Sequence, residues 1–258
     1  MKFDVVLLDM DGVLLLGSEP IDGAPATIAW LREQEIPLRV VTNSTHTTAS
    51  GFAKQLNDAG IRVEAHEIVT AVVGTASYLR MHHRGATVFL LSDGDPEEDL
   101  AGITLVEEGA DVVVVGGASD LFTYGAVNRA FRMLMDGAAL VAMHRNLYWR
   151  SEDAWHLDGG AYLRLLEDAA NTQAVVCGKP STTFFEAALA GTGAAPDRAL
   201  MMGDDIRNDV LAAQHAGMTG VLVRTGKFRQ DDLEAGEPNH VIDGVGDLPA
   251  LLESLLEA

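Results

Sequence analysis

Short aliphatic runs that stop abruptly at polar residues recur along this 258-residue chain, and they leave it few ways to fold. Val5-Val6-Leu7-Leu8, Pro37–Val41, Asp111–Val115, Ala199–Met202 and Gly220–Val223 are of strand length, and apart from the interruption at Arg39 their apolar residues are contiguous instead of alternating with polar ones. A strand that is apolar on consecutive residues is buried on both faces, which occurs in parallel sheets covered by helices. Stretches with helical spacing lie between the runs, at Ala24–Glu33, Ala49–Ala59, Ala71–Met81, Thr123–Met135, Thr183–Ala190 and Asn208–Ala216. This alternation predicts a doubly wound parallel α/β sheet. One stretch, Arg145–Gly160, reads as irregular and carries Trp149 and Trp155.

Thr87–Leu91 opens a second set of strands, and a junction is expected at Met81–Gly85. Residues 1–80 and 177–258 are then one body, with residues 81–176 an inserted α/β domain. The net charge of −20 disfavours nucleic acid and anionic membranes as partners. No apolar run approaches the roughly 20 residues of a membrane span. Met1-Lys2-Phe3-Asp4 lacks the character of a secretory leader, and the single cysteine, Cys177, forbids an internal disulfide. Both point to the cytoplasm, with Cys177 packed as a small hydrophobe.

The polar residues that end the runs carry the chemistry. They are Asp9 and Asp11; Thr42, Asn43 and Ser44; Lys179; and Asp204, Asp205 and Asp209. In an open parallel sheet such strand ends face one crevice, where ligands bind. Two carboxylates one residue apart are costly unless something cationic lies between them. A donor set of hard oxygens without His or Cys favours Mg²⁺ over zinc. The eight histidines show no zinc-like spacing. His144, His156 and the turn Leu157–Tyr162 are candidates for substrate contact in the inserted domain, the turn being equally readable as purely structural.

Asp9-Met10-Asp11-Gly12-Val13-Leu14 resembles the first motif of the haloacid dehalogenase-like phosphatases. Val41–Ser44 is similar to the second motif, Gly178-Lys179-Pro180 to the third and Gly203–Asp209 to the fourth; Ala213–Met218 and Val223–Phe228 also match. The resemblance is to the NagD-like branch, with a large α/β cap between the second and third motifs. It implies a Rossmann-like core, with Asp9 as nucleophile and Asp11 as proton shuttle. Mg²⁺ would be held by Asp9, the Asp11 carbonyl and Asp204, with Asp205 or Asp209 on its waters. Thr42, Asn43 and Lys179 would bind phosphate. The expected partner is a small phosphorylated substrate, and related caps allow a homodimer. Two rivals are weighed beside it. A dehalogenase needs neither Asp11 nor a metal, and a non-catalytic scaffold has no reason to keep the whole set.

Overall fold

The computed structural model describes residues 3–94, 96–150 and 154–257. The chain divides into two compact units, one of Met1–Thr42, Ala49–Val69 and Phe185–Ala258, the other of Asn43–Thr48 and Thr70–Phe184.

The first unit is built on six parallel strands, in spatial order His240–Ile242, Thr219–Val223, Ala199–Gly203, Val5–Asp9, Leu38–Val41 and Ile68–Val69. The chain builds outward from Val5–Asp9 in one direction, then returns beside Val5–Asp9 and builds outward in the other. The reversal falls between Val5–Asp9 and Ala199–Gly203, both buried along their whole length. This is the doubly wound arrangement, whose ligands bind beyond the strand ends at the reversal. Helix Ala49–Asp58 buries Ala49, Phe52, Ala53 and Leu56, a single helical stripe. It stops before Gly60, which takes φ +82° as helix-terminating glycines do.

The second unit has five parallel strands, in spatial order Val175–Val176, Ala139–Ala142, Val112–Val115, Thr87–Leu91 and Thr104–Leu105. Its central run of valines divides by parity. Val113 and Val115 pack with Ala126, Ala130 and Met133 of helix Tyr124–Met135 and with Leu163 and Leu166 of helix Gly159–Ala170. Val112 and Val114 pack with Ala71, Val72, Ala76 and Leu79 of helix Ala71–His82. Helices on both faces explain why the run carries no polar residue.

Helix Ala71–His82 and residues 177–184 thus lie with the second unit, whereas the sequence reading groups them with the first. The helix buries its stripe beside Val88, Val141 and Cys177. A periodic pattern marks an apolar face without saying which sheet it will cover. Cys177 is fully buried, and burial pushes its thiol up to about 12, so it packs as a hydrophobe.

The stretch expected to be irregular holds an antiparallel pair, Tyr148–Arg150 with Trp155–Leu157. Exposed aromatics on both of its faces hid the alternation that marks a strand. Trp149 and His156 are cross-strand partners, stacked at 4.4 Å between ring centroids. Among the described residues no helix is long and apolar enough to cross a membrane.

Candidate active site

Strand register builds the first part of the site. Leu8 lies opposite Met202, so Asp9 and Gly203 end neighbouring strands side by side, and Asp204 follows at once. Asp209 arrives from the π-helical segment Ile206–Leu211, and its Oδ2 accepts the Asp205 N–H at 3.2 Å. Gly203 makes room for it, since a Cβ there would lie 2.4 Å from Asp209 Oδ2. Asp9, Asp204 and Asp209 are 4%, 1% and 1% exposed. Each offers a carboxylate oxygen within 4.8 Å of the others. At an effective dielectric constant near 20, two charges this close repel by about 3 kcal/mol. Three such buried anions are stable together where a cation lies among them, and an all-carboxylate donor set fits a hard divalent ion.

The remaining sequence candidates of this unit occupy different surroundings. Asp11 is exposed, in a tight loop where the Leu14 and Leu15 N–H groups donate to the Met10 carbonyl, both at 3.0 Å. Thr42 is buried one residue beyond the pairing of Asp9 with Val41, and its N–H donates to the Val69 carbonyl at 3.0 Å. Asp205 stands outside the carboxylate group. Its side chain accepts the Arg207 and Asn208 N–H groups at 3.0 Å and the Asn208 amide at 2.7 Å, so it caps the helical segment. Burial works to raise its carboxyl, but the Asn208 donors, the Lys227 ammonium and the Arg207 N–H outweigh it and hold the group below the usual range.

Asn43 and Lys179 meet within the second unit. Asn43 Oδ1 accepts the Lys179 N–H at 2.7 Å, and Asn43 Nδ2 donates to the Lys179 carbonyl at 2.8 Å. Gly178 permits this, because a Cβ there would lie 2.8 Å from Asn43 Oδ1 and 2.2 Å from the Met143 carbonyl. No local pattern signals this lock, which joins residues 136 apart. Asn43→Asp keeps the acceptor but sets a carboxylate against the Lys179 carbonyl. The expected cost is about 1–3 kcal/mol in thermal denaturation. Where Lys179 acts on phosphate, as the motif resemblance implies, steady-state assay would also show roughly a hundredfold loss of turnover through its misplacement. A variant with native stability and rate would refute the lock.

Comparison with known proteins fits this arrangement of motifs. The haloacid dehalogenase-like hydrolase family model matches residues 6–105, and a HAD-hydrolase-like model matches residues 176–248. The haloacid dehalogenase-like hydrolase domain-containing protein 2 of Homo sapiens is 38% identical, over 90% of this chain and 88% of its own. This chain belongs to the haloacid dehalogenase-like hydrolase family. The phospholysine phosphohistidine inorganic pyrophosphate phosphatase of Xenopus laevis is 35% identical, over 97% of this chain and 94% of its own. Among solved structures, 4-nitrophenylphosphatase from Thermotoga maritima superposes with a TM-score of 0.87 at 26% identity, covering 96% of this chain and 97% of its own. NagD from E. coli K-12 does so with a TM-score of 0.87 at 25% identity, covering 96% and 98%. These likenesses place the protein in the NagD-like branch, among phosphoric monoester hydrolases.

In this NagD-like hydrolase the turn at 157–162 has a structural task. Asp158 Oδ1 accepts the Gly159 N–H at 2.7 Å and the Ala118 N–H at 3.2 Å, capping helix Gly159–Ala170. A Cβ at Gly160 would lie 2.4 Å from the Arg145 carbonyl oxygen. His156 lies in the aromatic hairpin. His144 is buried, its Nδ1 accepts the Asn146 N–H at 3.3 Å, and its Nε2 stands 3.8 Å from Asp158 Oδ1. Burial pushes its pKa below 6.5; Asp158 opposes this and His46 adds to it. The unfolded chain therefore takes up this proton first. The stability contributed by the neutral ring is present above the unfolded value and is lost as pH falls through it. Urea midpoints are expected to drop between about pH 7 and pH 5.5, and to drop less in His144→Asn. Equal slopes for the two proteins would rule out His144 as the source.

Proposed function

We propose that this hydrolase is a Mg²⁺-dependent phosphatase that acts on small phosphorylated metabolites through an aspartyl-phosphate on Asp9. The observation that carries the reading is the convergence of Asp9, Asp204 and Asp209 at the sheet reversal, three buried carboxylates within 4.8 Å. Asp9 and Asp204 would hold the ion together with the Asp11 backbone carbonyl. Asp209 is close enough to hold it or one of its waters, and the capping role of Asp205 leaves it the lesser candidate. When bound, Mg²⁺ supplies positive charge that offsets repulsion between a carboxylate nucleophile and a phosphate.

In the first half-reaction an Asp9 oxygen forms a bond to phosphorus as the bond to the leaving oxygen breaks, and Asp11 gives that oxygen its proton. In the second, water attacks the phosphoryl group and passes a proton to Asp11, releasing phosphate and restoring Asp9. The exposure of Asp11 suits a group that exchanges protons with incoming and outgoing molecules. Thr42 and the Asn43 N–H bind phosphate oxygens, and Lys179 neutralises their charge. The second unit serves as the cap that reads the leaving group. An exposed apolar groove lined by Phe122, Tyr124, Val127, Phe131 and Leu165 supports a homodimer through this unit.

The deciding experiment is phosphate release from 4-nitrophenyl phosphate, pyrophosphate, phospholysine, phosphohistidine and common sugar and nucleotide monophosphates, with Mg²⁺ and with chelator. Release that requires Mg²⁺ is expected. No turnover of any of them by folded, Mg²⁺-loaded protein would favour a non-catalytic scaffold, and halide release from haloacids in its place would favour a dehalogenase.

A further inference from the structure

Thr225-Gly226-Lys227 follows the strand Thr219–Val223 and has no part in the chemistry above. The Thr225 hydroxyl donates to the Gly12 carbonyl at 2.5 Å, and the Lys227 N–H donates to Asp204 Oδ2 at 2.7 Å. Between these bonds Gly226, at φ +60°, lies flat against Gly12, at φ +83°. A Cβ on Gly226 would stand 2.6 Å from Gly12 Cα and 2.0 Å from Asp204 Oδ2; one on Gly12 would stand 2.9 Å from Gly226 Cα and 2.0 Å from the same oxygen. Both conformation and space demand glycine at each position. One turn therefore grips the main chain just beyond Asp9-Met10-Asp11 and one oxygen of Asp204.

We infer that Thr225-Gly226-Lys227 is a positioning clasp, which sets the geometry of the divalent-cation site by pinning the Gly12 main chain and the Asp204 carboxylate to one another. The inference rests on the reading of Asp9, Asp204 and Asp209 as that site. The Gly12 N–H donates to the Leu15 carbonyl at 2.7 Å, which fixes the plane of the Asp11–Gly12 peptide. Because that peptide is planar and trans, the Asp11 carbonyl points the opposite way. Thr225 fixes the next peptide plane through the Gly12 carbonyl, so the backbone is held on both sides of Gly12. The Lys227 N–H restricts rotation of the Asp204 carboxylate. Mg²⁺ tolerates little departure from octahedral geometry, and partners that orient its ligands are worth about 10–100-fold in affinity.

The test is Mn²⁺ binding to the full chain, by calorimetry and by loss of the free-ion electron paramagnetic resonance signal, well below the melting temperature. Thr225→Val preserves shape and removes the donor, and is expected to weaken Mn²⁺ binding roughly tenfold or more with an unchanged circular dichroism spectrum. Thr225→Ser, which restores the hydroxyl, is expected to bind within about threefold of the natural protein. Should Thr225→Val fail to fold, Thr225→Ala takes its place, with the same weakening expected. Native-like binding by the hydroxyl-free variant, with the natural protein binding Mn²⁺ well, would overturn the clasp alone. Failure of the natural protein to bind Mn²⁺ would overturn the cation site and the clasp together.

Discussion

Asp9→Asn is expected to lower turnover of phosphate esters by a factor on the order of 10⁴ or more, because a neutral amide cannot form the covalent bond to phosphorus. The amide is nearly isosteric with the carboxylate it replaces. It sits at the end of a strand whose other residues are fully buried, so the fold should be unchanged. The proposed covalent step makes a more specific statement than loss of rate. Acid quenching of the natural protein during turnover should trap label from a ³²P-phosphate ester on the chain, and the Asp9→Asn protein should trap none. Asp11→Asn should form that adduct slowly and break it down slowly, since each half-reaction needs one proton moved. Turnover of Asp9→Asn within tenfold of the natural protein would end the covalent reading.

The second large effect concerns stability without the cation. Asp209→Asn removes one of three buried like charges while its amide oxygen can still accept the Asp205 N–H. With metal chelated, this variant is expected to melt higher than the natural protein, by about 1–3 kcal/mol at the repulsion given above. At roughly 2–4 °C per kcal/mol for chains of this size, that is several degrees. Mg²⁺ at a hundred times its dissociation constant would stabilise the natural protein by about 2.7 kcal/mol. In the variant most of that gain should vanish. Site carboxylates that lower the stability of the metal-free protein are a known form of trade between activity and stability. Differential scanning calorimetry with chelator and with Mg²⁺ checks both halves. A variant that melts lower without metal and keeps its full response to Mg²⁺ would show that Asp209 is no part of the cation site.

Part of this architecture was legible because burial on both faces leaves a plain mark in sequence. Val112–Val115 has no polar residue because helices cover both of its sides. The polar residues Asp9, Thr42 and Asp204 stand at the ends of such strands and stay buried there. Other features leave no comparable mark. The allegiance of helix Ala71–His82 depends on which sheet its stripe meets, and the paired strands at Tyr148–Leu157 show aromatics on both faces in place of an alternation. Asp205 and Asp209 look alike in sequence, yet one caps a helical segment and the other joins the buried carboxylates, because the widened turn between them aims the two side chains differently.

The sequence by itself determined that acids and a hydroxyl would stand at the ends of apolar strands, since runs that are apolar on consecutive residues mark strands buried on both faces. Which of those ends meet was decided by the tertiary structure. Asp9 and Gly203 become neighbours through the return of the chain to the first strand, and Asn43 grips Lys179 through a pairing that neither residue encodes locally. The clasp of Thr225-Gly226-Lys227 on Gly12 and Asp204 has the same origin. Contacts between distant segments depend on strand order and register, and these are settled by the packing of the whole core.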